Sequence, residues 1–278
     1  MVKSFKRLLK SNILFTLGLI ICTLWILAAI FAPYIAPYDP LAQDLLVKLE
    51  GPSFAHIFGT DSLGRDVFSR VLYGGRLSIT AGVLAVVLSC AIGSIYGAVA
   101  GYVGGLLDDV MMRLSELIIA FPTIILAIVI TSVLGTSMMN TMIALVIVGW
   151  PSYARLMRSV VITVKEQEYI TAAEALGASK FRILFKEVIP NSFTSVLVMA
   201  TTGFGNQILL FATLSFLGLG VSPPTPEWGM MVSDGVDYFN KFWIAGFPGL
   251  AIFTMAMGAN FIGDGLRDIL DPKLNKKL

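Results

Sequence analysis

Five stretches of this 278-residue chain run for more than twenty residues without Asp, Glu, Lys or Arg: 11–38, 77–107, 117–154, 188–226 and 242–263. About 20 apolar residues in a helix cross a bilayer core, so each stretch is long enough for a span. With 56% hydrophobic and only 14% charged residues, too few charges remain to cover a water-facing surface, since soluble domains carry about 25%. A soluble globular fold and intrinsic disorder are both excluded on these grounds.

The third stretch is interrupted by Gly135-Thr136-Ser137, with Asn140 close behind. Turn residues at mid-run predict a tight hairpin between two helices. Six spans follow, at 13–32, 78–103, 115–134, 140–160, 192–215 and 243–263. Beyond the fifth, Gly218, Gly220, Pro223, Pro224 and Pro226 cannot continue a helix. The segments are apolar on all sides rather than alternating, which suits helices and not a membrane barrel. The predicted class is an all-α polytopic membrane protein. Its divisions are an N-terminal tail, first helix and outer loop (1–76), a five-helix core (77–263) and a C-terminal tail (264–278). The first span is followed by Pro33-Tyr34-Ile35 rather than a small-residue cleavage site, so it reads as a retained anchor.

Six spans place both termini on one side. That side collects fifteen of the twenty basic residues, including Lys3, Lys6, Arg7, Lys10, six between 155 and 186, Lys273, Lys276 and Lys277. The other side holds Lys48, Arg65, Arg70, Arg76 and Lys241. The richer side is cytoplasmic by the positive-inside rule.

Apart from Arg155 and Arg158 near one end of the fourth, the spans lack Lys, Arg and His, which argues against a proton relay of the kind proton-coupled carriers use. No Gly-Lys dipeptide occurs, so the phosphate loop of an ATPase is absent. No catalytic set or metal site is predicted from one histidine and two cysteines. His56 reads as a surface or interfacial side chain, and Cys22 and Cys90 as small packing residues. Asn206, Gln207 and Asn260 lie at depth, where they either line a water-filled path or join helices. The second span repeats small residues every fourth position, at Ala81, Ala85, Ser89, Gly93, Gly97, Gly101 and Gly105. That stripe predicts close approach of a neighbouring helix, or a surface along which helices slide.

The longest inner loop, 161–190, predicts two short helices broken at Gly177. Tyr169, Ala172, Ala173 and Leu176 share one face of the first. Gly177 suits the left-handed position that ends a helix. Phe181, Leu184, Phe185 and Val188 lead to Pro190 at the opening of the fifth span. In the outer loops, Val67, Phe68, Val71 and Leu72 predict a helix at the interface, with Asp66 and Arg70 spaced to pair. Trp228 in the proline-rich loop is available as an interface anchor.

The inner loop resembles the Glu-Ala-Ala motif of permease subunits of ATP-binding-cassette (ABC) importers. Aligned on Gly177, the alanine pair is Ala172-Ala173 and the closing pair is Ile189-Pro190. Thr171 stands at the glutamate position and Glu187 at an isoleucine position. Gly59-Thr60-Asp61 with Gly64-Arg65-Asp66, the loop from Ser215 to Gly229, and Gly263-Asp264-Gly265-Leu266-Arg267-Asp268 with Asp271-Pro272 are similar to the C-type branch of dipeptide, oligopeptide and nickel permeases.

The resemblance implies a type I importer permease fold with a cytoplasmic coupling helix, in a multi-pass cell-membrane protein. It implies a coupling loop built from Tyr169, Thr171, Ala172, Ala173, Glu174, Leu176, Gly177, Ala178, Phe181 and Pro190. Asp61, Arg65, Asp66, Glu227 and Trp228 become candidates either for sealing the outer mouth or for contacting a binding protein. The implied partners are a second homologous permease in a heterodimer, two cytoplasmic ABC ATPase subunits holding ATP and magnesium, an extracytoplasmic solute-binding protein and the lipid bilayer, with no nucleic acid. No cofactor is expected on this chain and no catalysis by it. The expected solute is a peptide, with nickel or a metal–chelator complex as the alternative. A stand-alone channel or carrier, and a non-transporting scaffold, are the readings from other classes.

Overall fold

The computed structural model describes residues 12–270, with side chains through 268. The basic N-terminal cluster, Asp271-Pro272 and the C-terminal lysines lie outside the described residues. Among those described the secondary structure is helical, apart from one isolated bridge between Thr60 and Asp66. Five helices are long and apolar enough to cross a membrane, and one bent pair is the candidate for a sixth crossing.

The first crossing is α1 (Ile13–Ile30), opened by the Asn12 side chain, which accepts from the Phe15 amide. Helix α2 (Val67–Val103) runs unbroken for 37 residues. The sequence predicted an interfacial helix near 67–76 and a separate span from 78; the two are continuous. No helix breaker separates them, because Gly74 and Gly75 sit under the Trp228 indole, where a Cβ would come within 3.2 and 2.9 Å of the ring.

The third span departs from expectation more strongly. Instead of one helix over 115–134, α3 (Gly105–Ile119) and α4 (Thr123–Leu134) meet at 88°. Pro122 has no amide hydrogen to donate back into α3, and its extended backbone starts the new direction. The following hairpin forms as predicted. Gly135 has φ +89, and the Ser137 side chain caps α5 (Met138–Lys165) by accepting from the Asn140 amide. Asn140 closes the turn by donating to the carbonyls of Leu134 and Gly135.

After α5 come α6 (Glu168–Ala175) and a second continuous 37-residue helix, α7 (Lys180–Phe216). The expected break before Pro190 is replaced by a π-helical stretch, Leu184–Val188. The wider turn takes up the proline ring within the helix, where an α-helical turn would clash with it. Gly218, at φ +78, follows the end of α7. The loop after α7 then holds an unpredicted helix, α8 (Trp228–Val236), and the last described helix is α9 (Trp243–Leu270).

Helix α2 packs along α5 through the small-residue stripe. A Cβ on Gly93 would lie 2.3 Å from the Trp150 oxygen, on Gly97 2.0 Å from the Ala154 oxygen, and on Gly101 2.9 Å from the Arg158 oxygen. Only glycine permits this approach of two backbones. Gly105 is not part of the seam: α2 ends at Val103 with Gly104 as its cap, and Gly105, at φ +62, meets nothing within 4 Å. Three apolar clusters hold the rest. One joins α1, α2, α7, α8 and α9 around Trp228 and Met255, another α2, α4, α5 and α7 around Leu145 and Phe211. The third joins the α6–α7 hairpin to α2 and α5.

Candidate functional site

The hairpin at 168–188 is built around one turn. The Gly177 amide donates to the Glu174 carbonyl (2.9 Å) and the Ala178 amide to the Ala173 carbonyl (3.1 Å). This paired closure, with Gly177 at φ +80, is the Schellman arrangement that ends a helix on a left-handed residue. Two residues later the Ser179 side chain accepts from the Arg182 amide and starts α7. Helix, left-handed glycine and new helix cap thus occupy a dozen residues.

Ile170, rather than the Tyr169, Ala172 and Leu176 side, anchors α6. Ile170 is 1% exposed and packs with Ile183, Leu184 and Val188 against Met157 and Val161 of α5. Ala173 lies partly on this face. Tyr169, Ala172 and Leu176, which share one side of the helix by their spacing, point outward, Leu176 at 89% exposure. Phe181 and Phe185 are also exposed and rest on each other at 4.5 Å between ring centroids. Thr171 and Glu174 lie on the exposed side and Pro190 is exposed in α7. The hairpin therefore has a buried aliphatic root and an exposed apolar crest.

The root is tied to the core by polar links that the sequence reading did not find. Arg158 of α5 makes a two-pronged contact with Asp108 of α3, Nε to Oδ1 and Nη2 to Oδ2, each 2.6 Å. Lys165 donates to the Gly101 carbonyl at the end of α2. The signal available was an acidic residue in the first turn of one helix and basic residues in the last turns of another.

A cavity of about 420 Å³ lies between α5, α7 and the start of α4. Asn206 and Gln207 line it; Asn260 does not, and instead faces Gly205 across the α7–α9 contact. The lining side chains are neutral.

The residues expected in the outer loops fold into the protein. Asp61, Arg65, Asp66, Glu227 and Trp228 are all under 5% exposed. Their side chains hold the loop together and turn away from the surface, and Trp228, expected as an interface anchor, is buried in the apolar cluster it shares with Met255. Asp61 accepts from the Leu63 and Arg65 amides and pairs with the Arg65 guanidinium. Gly64, at φ +71, sits where a Cβ would overlap the Asp44 carbonyl. Asp66 caps α2 through the Ser69 amide and also meets His56 Nδ1 at 2.9 Å. The expected Asp66–Arg70 pair is absent, since Arg70 turns instead to Asp61 and the Pro40 carbonyl. Burial beside Arg65 lowers the Arg70 pKa to about 10. His56 is half-buried, stacked on Tyr38.

Glu227 is the cap of α8, accepting from the Gly229 and Met230 amides. Ser78 of α2 donates to the same carboxylate at 2.9 Å, and the Trp228 indole donates to the Val71 carbonyl at 2.8 Å. Burial raises the Glu227 pKa against the pull of these hydrogen bonds.

Comparison with known proteins bears on the whole chain. A family model described as "Binding-protein-dependent transport system inner membrane component" matches residues 92–276. A second, described as "N-terminal TM domain of oligopeptide transport permease C", matches residues 2–52. The dipeptide transport system permease protein DppC of Alkalihalophilus pseudofirmus is 46% identical over 273 residues, 98% of this chain and 90% of the relative. The oligopeptide transport system permease protein OppC of Bacillus subtilis is 44% identical, over 96% of this chain and 88% of the relative. The glutathione transport system permease protein GsiD of Pectobacterium atrosepticum is 42% identical, over 97% and 90%. Among solved structures, an inward-facing form of the MetNI methionine ABC transporter matches with a TM-score of 0.52 at 16% identity. It covers 69% of this chain and 94% of that one, a likeness of fold.

Proposed function

The chain belongs to the family of binding-protein-dependent transport inner membrane components, and from that premise we propose that it forms half of the solute path of an ABC importer for short peptides. Its other half is a second, homologous permease. Two ATPase subunits beneath the membrane carry ATP, magnesium and the hydrolysis, and an external binding protein delivers the solute. This chain contributes no catalytic group. The split of basic residues supports cytoplasmic termini and a cytoplasmic 161–190 loop. The peptide assignment follows the relatives, which are named for dipeptide, oligopeptide and glutathione transport. The nickel alternative has no observation in its favour here.

The exposed crest of the α6–α7 hairpin carries the proposal. Tyr169, Leu176, Phe181 and Phe185 form an apolar surface on a rigid turn, which suits insertion into a partner's cleft. Closure of the ATPase pair would then push on a root packed against α2 and α5. Valine at position 177 forces a β-branched residue to positive φ, a strained conformation costing about 1–2 kcal/mol or more. Gly177→Val should therefore assemble but lose solute-driven uptake in reconstituted vesicles, whereas Gly177→Asn, tolerant of that backbone, should retain it. Normal uptake by Gly177→Val overturns the lever.

A further inference from the structure

Most buried polar groups find hydrogen-bond partners, so the side-chain atoms in this chain that do not are informative. Two of them sit together at mid-membrane. Gln207 is 9% exposed and its Oε1 has no partner; Ser89 Oγ, fully buried, also has none. They flank Gly149: a Cβ there would come within 2.8 Å of Gln207 Nε2 and 2.7 Å of Ser89 Oγ. The glycine thus keeps open the space in which the amide lies. Nearby, Gly203 leaves room for the Tyr153 hydroxyl, 2.5 Å from where a Cβ would stand.

Gln207, Tyr153 and Gly149 belong to the wall of the 420 Å³ cavity, with Ser152, Asn206 and Thr213. The volume lies within the range of about 300–1,000 Å³ usual for small-molecule sites. At 1.5 Å per residue, Gln207 and Gly149 stand about 15 Å below the outer ends of α7 and α5, near the middle of a core about 30 Å thick. The Oε1 atom is enclosed in this conformation; the terminal torsion of a glutamine is broad, and a turn about it would present this unpaired acceptor to an N–H that enters the cavity.

Resting on the transport reading above, we infer that Gln207 is a specificity-determining residue. Its Oε1 accepts a hydrogen bond from the peptide N–H of the solute as it passes the midplane. The donor is a backbone amide rather than an ammonium, because no carboxylate lines the cavity to receive a charge. The site reads the one group that all peptides share and leaves their side chains unread.

The test uses the whole complex in vesicles: both permeases, both ATPases and saturating binding protein. Uptake of alanyl-phenylalanine is compared with that of the same dipeptide methylated on its peptide nitrogen, with both ligands saturating on the binding protein. Wild type should favour the parent by about fivefold, the size of one neutral hydrogen bond. Gln207→Met, similar in volume and without an acceptor, should bring that ratio close to one while ATP-dependent uptake of the methylated peptide persists. Gln207→Asn, which withdraws the carbonyl by one methylene, should lower the ratio and serves if the methionine variant does not assemble. An unchanged ratio in an assembled variant overturns the inference. A wild-type complex that moves neither peptide overturns instead the peptide-importer reading on which the inference rests.

Discussion

Arg158 and Asp108 meet across the α3–α5 contact through two parallel N–H to oxygen bonds of 2.6 Å. A planar guanidinium matched to a carboxylate in this way fixes orientation as well as distance. The pair sets α3 against the C-terminal part of α5, about two turns before the Lys165 link to α2. Arg158 is one-third exposed, so solvent screens part of the interaction. Asp108→Asn should destabilise the solubilised protein by about 1–2 kcal/mol, read as a lower unfolding temperature. The loss should shrink at high salt.

Gly97 is the tightest point of the α2–α5 seam. Gly97→Leu should prevent the two helices from closing, giving a protein degraded in the membrane or recovered only as aggregate. Gly249 lies inside α9 and meets nothing within 4 Å. Gly249→Ala should be neutral or stabilising by up to about 1 kcal/mol, the helix preference of alanine over glycine. Membrane-fraction yield and unfolding temperature of the two variants check the contrast.

The Glu227 carboxyl is raised by burial above its ordinary value of 4.5. A folded-state pKa above the unfolded one means the folded protein holds its proton longer. The stabilisation is complete below pH 4.5 and is lost as pH rises through the raised value. Glu227→Gln keeps an acceptor for the α8 amides and removes the titration. Its unfolding temperature should be flat across the pH range where that of the wild type declines.

Ile170 and Leu176 are six residues apart, on opposite sides of the hairpin. Ile170→Ala opens a cavity in the root and should cost about 2–5 kcal/mol, loosening α6 before the rest of the chain. Faster proteolysis within 168–180 would show it. Leu176→Ala, on the crest, should leave proteolysis unchanged yet weaken co-purification of the ATPase subunits.

The spans are legible in the sequence because lipid imposes the same demand on every turn of a crossing helix. Runs free of charge therefore mark them within a few residues. Continuity is less legible. Pro122 breaks the third span whereas Pro190 is carried through by a π turn, and the two prolines look alike in a list. What separates them is the packing of Leu184 and Val188 on one side of the second bend. Gly177 and the Gly93-Gly97-Gly101 stripe are readable because glycine has few other reasons to recur there. The burial of Asp61, Arg65, Asp66 and Glu227 is not, since charged residues in an outer loop suggest a surface. Only the fold reveals that they cap helices and bind one another. Ile170 escaped because one helical turn offers two plausible faces; Gln207 is legible as a polar residue at depth, but its unpaired carbonyl is a property of three packed helices.

The 37 residues of α2 have one more implication. At 1.5 Å per residue the helix is about 55 Å long, well beyond a bilayer's full thickness of about 40–45 Å. Its outer extension carries the Ser78 and Val71 fastenings of α8, and its inner half is zipped to the helix that supports the hairpin. The two faces of the membrane are therefore joined by a single mast rather than by a relay of loops. A tilt of about 5° over that length carries the far end some 5 Å sideways, roughly one helical pitch. Stiffness in this one element is what would let events on the two sides keep time with each other, and a kink placed between Ser78 and Ser89 would be the simplest way to put them out of step.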